Sequence, residues 1–325
     1  MSFDTFYFYN GNMEFKEIIL DDLNHEELKE LIGANNTNLD FIKSLFNFEI
    51  IFRGNVLKVA CDNESYKLFC DYIDALVNNI KNNIVIDENL LKQMYYDLKE
   101  NRDISWQNKT IIVTNNGKQI RCKTYNQYLF INSVINNDLI FSIGPAGTGK
   151  TYLAVALACK AYKNDEIKKI ILTRPAVEAG ESLGFLPGDL KEKIDPYLMP
   201  LYDSLYDILG EDQVNKMIEK KVIEIIPLAY MRGRTLNDAF IILDEGQNTT
   251  AGQMLMFLTR LGHNSKMIVN GDITQIDLKI NKNSSGLVCA LKSLKNIKKI
   301  AFVEFVKSDV VRNPLVEKII EKFVI

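Results

Sequence analysis

The stretch that decides the fold is Gly144-Pro145-Ala146-Gly147-Thr148-Gly149-Lys150-Thr151, which matches GxxxxGK[ST] at every fixed position. The apolar run Leu139–Ile143 before it predicts a buried strand, and the pattern of Tyr152–Tyr162 after it predicts a helix. Strand, glycine-rich turn and helix are the context of a phosphate-binding loop, because glycines let the backbone wrap around phosphate with its N–H groups inward. The N-terminus of the helix faces the same anion.

We expect all eight residues of this loop to contact a nucleoside triphosphate. Lys150 is expected to reach the β- and γ-phosphates, and the Thr151 hydroxyl to ligate Mg²⁺. The competing interpretation is a glycine-rich strand–helix turn that matches the motif by coincidence.

A phosphate-binding loop needs a carboxylate at the end of another core strand. The stretch Phe240-Ile241-Ile242-Leu243-Asp244-Glu245 supplies two. Asp244 is expected to hold the Mg²⁺ shell, and Glu245 to polarise the attacking water as a catalytic base. Taken alone, the pair would also fit an exposed acidic turn.

Two further segments contribute polar candidates. The strand-like run Met267–Asn270 leads to Asp272 and Gln275, which are expected to sense the γ-phosphate or order the water, unless they form a plain turn. The amide of Gln127, before a predicted helix, can bond an adenine edge as donor and acceptor, which favours ATP over GTP. No Asn-Lys-x-Asp guanine signature is present.

Short apolar strands alternate with helical segments in the C-terminal two-thirds of the chain. This pattern predicts an α/β fold, a P-loop NTPase with a RecA-like parallel sheet covered by helices. The predicted strands are Asp138–Ile143, Lys169–Thr173, Val222–Pro227, Phe240–Asp244, Met267–Asn270 and Lys299–Phe305.

The rest of the chain divides into three parts. Residues 1–12 are expected to be a poorly ordered lead-in, and residues 13–84 a small α+β domain of αββα pattern. Residues 85–122 are expected to form a helical connector and a β-hairpin, and residues 123–325 the ATPase core.

Composition sets limits on function. A length of 325 residues favours two domains, and the net charge of −3 excludes a surface that is polycationic throughout, though not a local basic groove. Five scattered cysteines without a CxxC pair indicate free thiols in a reducing compartment, and two histidines disfavour histidine-based metal or triad chemistry. Apolar runs shorter than a membrane span, and a start unlike a signal peptide, predict a cytoplasmic protein without membrane contact.

The chain resembles the bacterial PhoH-like ATPases, which are related to the first motor domain of superfamily 1 helicases. The resemblance extends from about Arg121 to the C-terminus. Besides the phosphate-binding loop it rests on Asn126-Gln127, Thr173-Arg174-Pro175-Ala176-Val177-Glu178-Ala179-Gly180-Glu181, Gly184-Phe185-Leu186-Pro187-Gly188, Tyr230-Met231-Arg232-Gly233-Arg234-Thr235, Asp244-Glu245-Gly246-Gln247-Asn248, Gly271-Asp272 with Gln275, and Asp309-Val310-Val311-Arg312-Asn313-Pro314.

The resemblance implies an ATPase associated with RNA, with a role in ribosomal RNA maturation beside a partner endoribonuclease, and a tie to phosphate-starvation genes. It also implies that residues 13–84 are similar to the RNA-binding KH-like part of longer family members. A KH clamp needs GxxG, whereas this chain has Gly33-Ala34-Asn35-Asn36. A purely structural or oligomerising domain is the alternative.

Four arginines are candidates for contacts with phosphate, because the planar guanidinium neutralises charge that develops in phosphoryl transfer. Arg174, at the end of a core strand, either contacts a nucleic-acid backbone or caps a helix or pairs with Glu178. Arg232 and Arg234 are candidates for RNA phosphate, the γ-phosphate or a neighbouring subunit's site. Arg312 is the best arginine-finger candidate within the chain, the alternative being a surface residue that flanks a helix.

Only about 50 residues follow the Gln275 region, too few for a second motor domain. We therefore expect self-association into a ring or other homo-oligomer that completes each ATP site with a neighbour's arginine. The leading hypothesis is an ATP hydrolase that acts on RNA, with or without helicase-like strand separation. The alternatives are a nucleotide-gated RNA adaptor without significant turnover and, less favoured, a P-loop kinase.

Overall fold

The chain forms two compact units, residues 1–109 and residues 110–325. This computed structural model describes residues 7–9, 13–82, 84–102, 110–175, 190–276 and 285–311, together with residues 315, 316, 319 and 322. Within these residues no helix is both long enough and apolar enough to span a membrane.

The first unit has a four-stranded antiparallel sheet of order β1-β2-β4-β3. The strands are β1 (Tyr7–Tyr9), β2 (Met13–Ile19), β3 (Glu49–Arg53) and β4 (Val56–Ala60). The helices are α1 (His25–Ile32), α2 (Thr37–Phe46), α3 (Asn63–Lys81) and α4 (Glu88–Lys99). The predicted αββα pattern corresponds to α1–α2, β3, β4 and α3, and the KH-like identity of this unit stays a prediction.

Two expectations for the N-terminal region differ from the structure. Residues 7–9 of the expected lead-in pair with β2, and β2 itself was not predicted. Helix α4, expected to be a connector, is part of the first unit's core, where Leu91 and Met94 are fully buried. The Tyr72 hydroxyl of α3 donates to the Leu91 carbonyl at 3.1 Å. The apolar stripe of α4 is thus explained by burial against α2 and α3.

The second unit contains a six-stranded parallel sheet of order β12-β7-β11-β10-β8-β9, which confirms the predicted α/β class. Its strands are β7 (Leu139–Ile143), β8 (Lys169–Arg174), β9 (Ile223–Pro227), β10 (Ala239–Leu243), β11 (Lys266–Gly271) and β12 (Ile300–Glu304). Every residue of β7 and β10 is buried, as continuous apolar runs require in a sheet covered on both faces.

Helices and a hairpin surround this sheet. The helices are α5 (Tyr125–Asn136), α6 (Lys150–Lys163), α7 (Leu190–Leu209), α8 (Glu211–Glu219), α9 (Ala251–Leu258) and α10 (Gly286–Ser293). The hairpin is β5 (Thr110–Val113) with β6 (Gln119–Arg121). It belongs to the second unit rather than to a connector, because the Asn115 N–H donates to the Ile208 carbonyl of α7 at 2.9 Å.

Candidate active site

The phosphate-binding loop joins β7 to α6 as predicted. Gly147 and Gly149 have φ values of 86° and 80°, a left-handed conformation that favours glycine. A Cβ on Gly144 would lie 2.4 Å from the Phe305 carbonyl oxygen, so this glycine is required for close approach to the residue after β12. The loop is therefore held by its own glycines and by the adjacent strand.

Lys150, the first residue of α6, folds back over the loop. Its Nζ donates to the carbonyls of Gly144 at 2.7 Å and Pro145 at 2.8 Å, and to the Thr148 hydroxyl at 3.2 Å. Burial lowers the pKa of Lys150, and the charges of nearby carboxylates, Asp272 foremost, oppose that shift. The Lys150 ammonium thus contacts the loop backbone and lies near the carboxylates of Asp272, Asp244 and Glu245.

Thr151, at the start of α6, and Asp244, just after β10, are joined by a hydrogen bond. The Thr151 hydroxyl donates to Asp244 Oδ1 at 2.6 Å, although the two residues are 93 positions apart. Burial and then the charge of Glu245 raise the pKa of Asp244, while the Thr151 hydrogen bond opposes the rise. A hydroxyl and a carboxylate held together at the helix N-terminus are the pair that the sequence predicted for a Mg²⁺ shell.

Glu245 follows Asp244 in a left-handed backbone conformation with φ of 53°. That conformation costs a residue other than glycine about 1–3 kcal/mol and is common at functional sites. Its Oε1 lies 3.3 Å from Nη2 of Arg174, and its Oε2 accepts a hydrogen bond from Gln247 Nε2 at 2.5 Å. The structure pairs Arg174 with this carboxylate, and Glu178, a partner predicted from the sequence, lies outside the described residues.

Asp272 and Gln275 follow β11 at the same edge of the sheet. Asp272 Oδ1 accepts hydrogen bonds from the Thr274 N–H at 2.9 Å and from its hydroxyl at 2.6 Å. Asp272 Oδ2 is buried and has no partner among the described residues. Gln275 is exposed, and its N–H donates to the Asp272 carbonyl at 3.1 Å. The unpartnered oxygen is a buried acceptor available to a ligand or its water.

These groups surround one cavity of about 330 Å³. The cavity brings together much of the phosphate-binding loop with both carboxylates after β10 and the polar residues after β11. It is lined by Ala146, Gly147, Gly149, Lys150, Thr151, Tyr152, Arg174, Pro200, Ser204, Asp244, Glu245, Gly271, Asp272 and Gln275.

The donors present fit a nucleotide with Mg²⁺. Mg²⁺ is usually held by one or two carboxylates together with substrate phosphates and water, rather than by a complete cage of protein ligands. Thr151 and Asp244 supply the hydroxyl and carboxylate of such a site, and Asp272 Oδ2 remains unpartnered beside them. In the described part of the chain, no three His, Cys, Asp or Glu side chains cluster as a metal site.

Gln127 lies next to the loop but outside the cavity lining. Its Oε1 accepts the Lys123 N–H at 2.7 Å, and its Nε2 donates to the Thr148 carbonyl at 3.0 Å. With both polar atoms bound to backbone, Gln127 braces the phosphate-binding loop. Its contact with adenine stays a prediction.

The arginine candidates are scattered. Arg234 lies outside the cavity, where its Nη2 bonds Glu224 Oε2 at 2.7 Å, and Arg232 is exposed, also outside it. Arg312 lies outside the described residues. The preceding residue, Val311, donates its N–H to the Gly147 carbonyl at 3.0 Å, so this segment reaches the phosphate-binding loop.

Two buried residues of the second unit had no role assigned from the sequence. Gln247 is 1% exposed and joins Glu245 to the Asp272 backbone. Asp309 is buried, and its Oδ2 accepts from Asn126 Nδ2 at 2.7 Å. Both lie in motifs of the resemblance, but their partners are 25 and 183 positions away in the chain, a separation that no local pattern shows.

The chain is similar to known proteins over most of its length. Residues 119–324 match the family described as PhoH-like protein. The chain is 50% identical to the PhoH-like protein of Bacillus subtilis (strain 168) over 306 residues, covering 92% of this chain and 95% of that protein. It is 44% identical to Protein PhoH of Escherichia coli (strain K12) over 199 residues, covering 61% and 56% of the two chains.

Among solved structures, the large terminase from a thermophilic bacteriophage is similar with a TM-score of 0.40. It shares 12% identity over 62% of this chain and 50% of that chain, too little for residues to be transferred between them. The matched region and the identity to the Bacillus protein settle the relationship, and the chain belongs to the PhoH-like protein family.

Proposed function

We propose that this protein is an ATP hydrolase whose turnover is coupled to RNA. The hydrolase half rests on one observation. Lys150 and Thr151 at the start of α6 line the same cavity as Asp244 and Glu245 after β10, with Thr151 and Asp244 joined at 2.6 Å. A phosphate cradle, a metal-orienting carboxylate and a second carboxylate in one cavity are the parts that phosphoryl transfer to water needs.

Bound Mg-ATP supplies the bond that is cleaved and the charge that the site must neutralise. When ATP binds, Lys150 would exchange its hydrogen bonds to loop carbonyls for hydrogen bonds to phosphate oxygens. Thr151 and Asp244 would hold the Mg²⁺. Glu245 accepts the proton of the water that attacks the γ-phosphorus, as the bond to the bridging oxygen breaks and its electron pair leaves with ADP. Gln275 and Asp272 line the same cavity, where Asp272 Oδ2 has no described partner, and in this proposal they hold that water.

The coupling to RNA is supported by the resemblance to helicase motors and by charge on the second unit. Four exposed lysines, Lys292, Lys295, Lys298 and Lys299, precede β12. A local basic run can contact a phosphate backbone although the whole chain has a net charge of −3. An rRNA-processing endoribonuclease remains the partner class implied by the resemblance, and five free cysteines support a reducing, cytoplasmic setting.

We also propose that the active form is a homo-oligomer. The cationic side chains that line the described cavity are Lys150 and Arg174, and Arg174 is paired with Glu245. In this proposal a separate arginine for the transition state comes from Arg312, which lies outside the described residues, or from a neighbouring copy. Arg232 is exposed, whereas Arg234 is held by Glu224, so Arg232 is the better candidate for a neighbour's site.

Product analysis tests the reaction. We expect the wild type to release free phosphate from Mg-ATP, and Lys150→Ala to lose nucleotide binding and turnover. Lys216→Ala, an exposed lysine of α8, is the matched control and should behave as wild type. A phosphorylated acceptor instead of free phosphate would indicate a kinase, and RNA affinity that responds to ATP without turnover would indicate an adaptor.

The salt dependence of stimulation tests the RNA half. We expect structured RNA to raise the rate of phosphate release at low salt and the stimulation to fade as salt increases. Protein contacts with RNA phosphates release counterions, so RNA affinity falls as the salt concentration rises. A rate that is independent of RNA at every salt concentration would reject the coupling while leaving the hydrolase assignment intact.

A further inference from the structure

Glu245 lies between the ends of the two strands that flank β10, and each of its carboxylate oxygens has its own partner. Oε1 is 3.3 Å from Nη2 of Arg174, the last residue of β8. Oε2 accepts from Gln247, whose own Oε1 accepts the Asp272 N–H after β11 at 3.0 Å. The carboxylate is therefore held from both sides by different strands of the sheet.

The Gln247 side of this arrangement is fixed by packing. A Cβ on Gly246 would lie 2.8 Å from Val269 Cγ1, and a Cβ on Gly271 would lie 3.0 Å from the Gln247 side-chain oxygen. The Ser285 hydroxyl donates to the Gln247 carbonyl at 2.8 Å. Packing and hydrogen bonds therefore fix the position of Gln247. Its own hydrogen bond to Glu245 in turn fixes the orientation of that carboxylate.

The Arg174 side faces the cavity. The Arg174 side chain is 16% exposed and that of Glu245 is 35% exposed, so their ion pair is partly withdrawn from water. Such a pair holds its members more firmly than a pair on the open surface. While Glu245 Oε1 contacts the Arg174 guanidinium, a water molecule cannot approach that oxygen from the same direction.

We propose that Arg174 and Gln247 are positioning residues with opposite effects on the hydrolysis of ATP. Gln247 orients Glu245 for the water, whereas Arg174 restrains Glu245, and turnover requires the Arg174–Glu245 ion pair to open. This inference rests on the proposed function, because it assumes that Glu245 receives the proton of the water.

The test is the separate measurement of kcat and KM for ATP by phosphate release, without RNA. We expect Arg174→Gln to raise kcat at least about fivefold and Gln247→Met to lower it by a similar factor, the low end of usual coupling effects. KM should stay unchanged in both. Arg121→Gln, the same substitution in the hairpin outside the cavity, should match wild type.

Two further variants separate positioning from a merely structural role. In a Glu245→Gln background, Arg174→Gln should have no effect on the residual rate, because its effect passes through the carboxylate. If circular dichroism shows that Arg174→Gln does not fold, Arg174→Lys replaces it. Lysine keeps the charge but lacks the planar fork, and a smaller rise in kcat is expected.

An Arg174 variant that folds and leaves kcat unchanged or lower overturns the restraint, and a Gln247→Met enzyme at the wild-type rate overturns the orienting role. Failure of the inference is distinguishable from failure of the proposed function. If Glu245→Gln abolishes turnover while Arg174→Gln has no effect, only the inference fails. If the wild type releases no phosphate, or Glu245→Gln turns over at the wild-type rate, the proposed function fails with it.

Discussion

Lys150 shows how burial and nearby carboxylates act in opposite directions on one charged group of this site. Its ammonium is largely removed from water, which lowers its pKa, yet three acidic side chains, Asp272, Asp244 and Glu245, favour the charged form. Loop carbonyls satisfy its donors in this structure. These hydrogen bonds already have an ionised donor, and replacing the neutral carbonyls with phosphate oxygens adds the attraction between opposite charges.

The stability of the protein should depend on pH through the buried carboxyl group of Asp97. Burial raises its pKa to about 6, against hydrogen bonds from Gln93 and Arg102 that lower it. The folded state then binds more protons than the unfolded state between pH of about 4 and about 6. The Asp97 contribution to the free energy of unfolding therefore falls by about 3 kcal/mol as pH rises through that range, and is constant above it.

Denaturant unfolding of wild type and Asp97→Asn at a series of pH values measures this effect. Asparagine cannot ionise, so we expect the stability of the variant relative to wild type to increase from pH of about 4 to about 6 and then level off. Two stability curves that run parallel across this range would show that Asp97 does not titrate as described.

At the element scale, two glycines near helix starts should respond oppositely to alanine. A Cβ on Gly252 in α9 would have nothing within 4 Å, whereas a Cβ on Gly286 in α10 would lie 2.4 Å from the Thr250 carbonyl oxygen. Gly252→Ala should stabilise the protein by about 0.4–1 kcal/mol through the unfolded chain. Gly286→Ala should destabilise it by about 1–3 kcal/mol through overpacking.

Thermal unfolding of the two alanine variants beside wild type measures these changes. A higher midpoint for Gly252→Ala with a lower one for Gly286→Ala is the expected result. Equal shifts in the same direction would contradict the packing of α9 against α10.

The elements of the second unit were predictable where the signal is local. The buried strand β10 is a continuous apolar run, β7 is apolar apart from Ser142, and the turn between β7 and α6 has a complete motif. Strand β2 was not predicted, because in its sequence, Met13-Glu14-Phe15-Lys16-Glu17-Ile18-Ile19, the alternation of apolar and charged residues lasts only four residues and breaks at Glu17. The contacts around Glu245 were not predictable either, since the order of strands brings Arg174 to its carboxylate and Asp272 to Gln247, its other partner.

At the scale of the whole molecule, the main prediction is a site shared between copies. If Arg232 acts on a neighbour's site, Arg232→Gln loses turnover because its own sites receive no arginine. A Glu245→Gln copy has an inactive site but still supplies Arg232. Equal mixtures of the two variants should therefore regain phosphate release above the mean of the separate proteins, and sedimentation with Mg-ATP should show assembly.

A shared site would be excluded if the two variants sediment as monomers and their mixture releases phosphate at the mean rate of the separate proteins. A matched control is Glu219→Gln mixed with Arg232→Gln. Glu219 is an exposed residue at the end of α8, so this control contributes arginine and an intact site together. It sets an upper bound on the activity that complementation can restore, because the sites of the Glu219→Gln copies are themselves active.

Glu245 is central to the proposed mechanism, in which it activates the water while other residues of the cavity bind ATP. The most direct measurement pairs the equilibrium affinity for Mg-ATP with the rate of phosphate release in Glu245→Gln, beside Glu219→Gln as control. We predict wild-type affinity for ATP in both variants, and loss of phosphate release by at least about 100-fold in Glu245→Gln alone. A Glu245→Gln protein that binds ATP and releases phosphate at the wild-type rate would contradict the account.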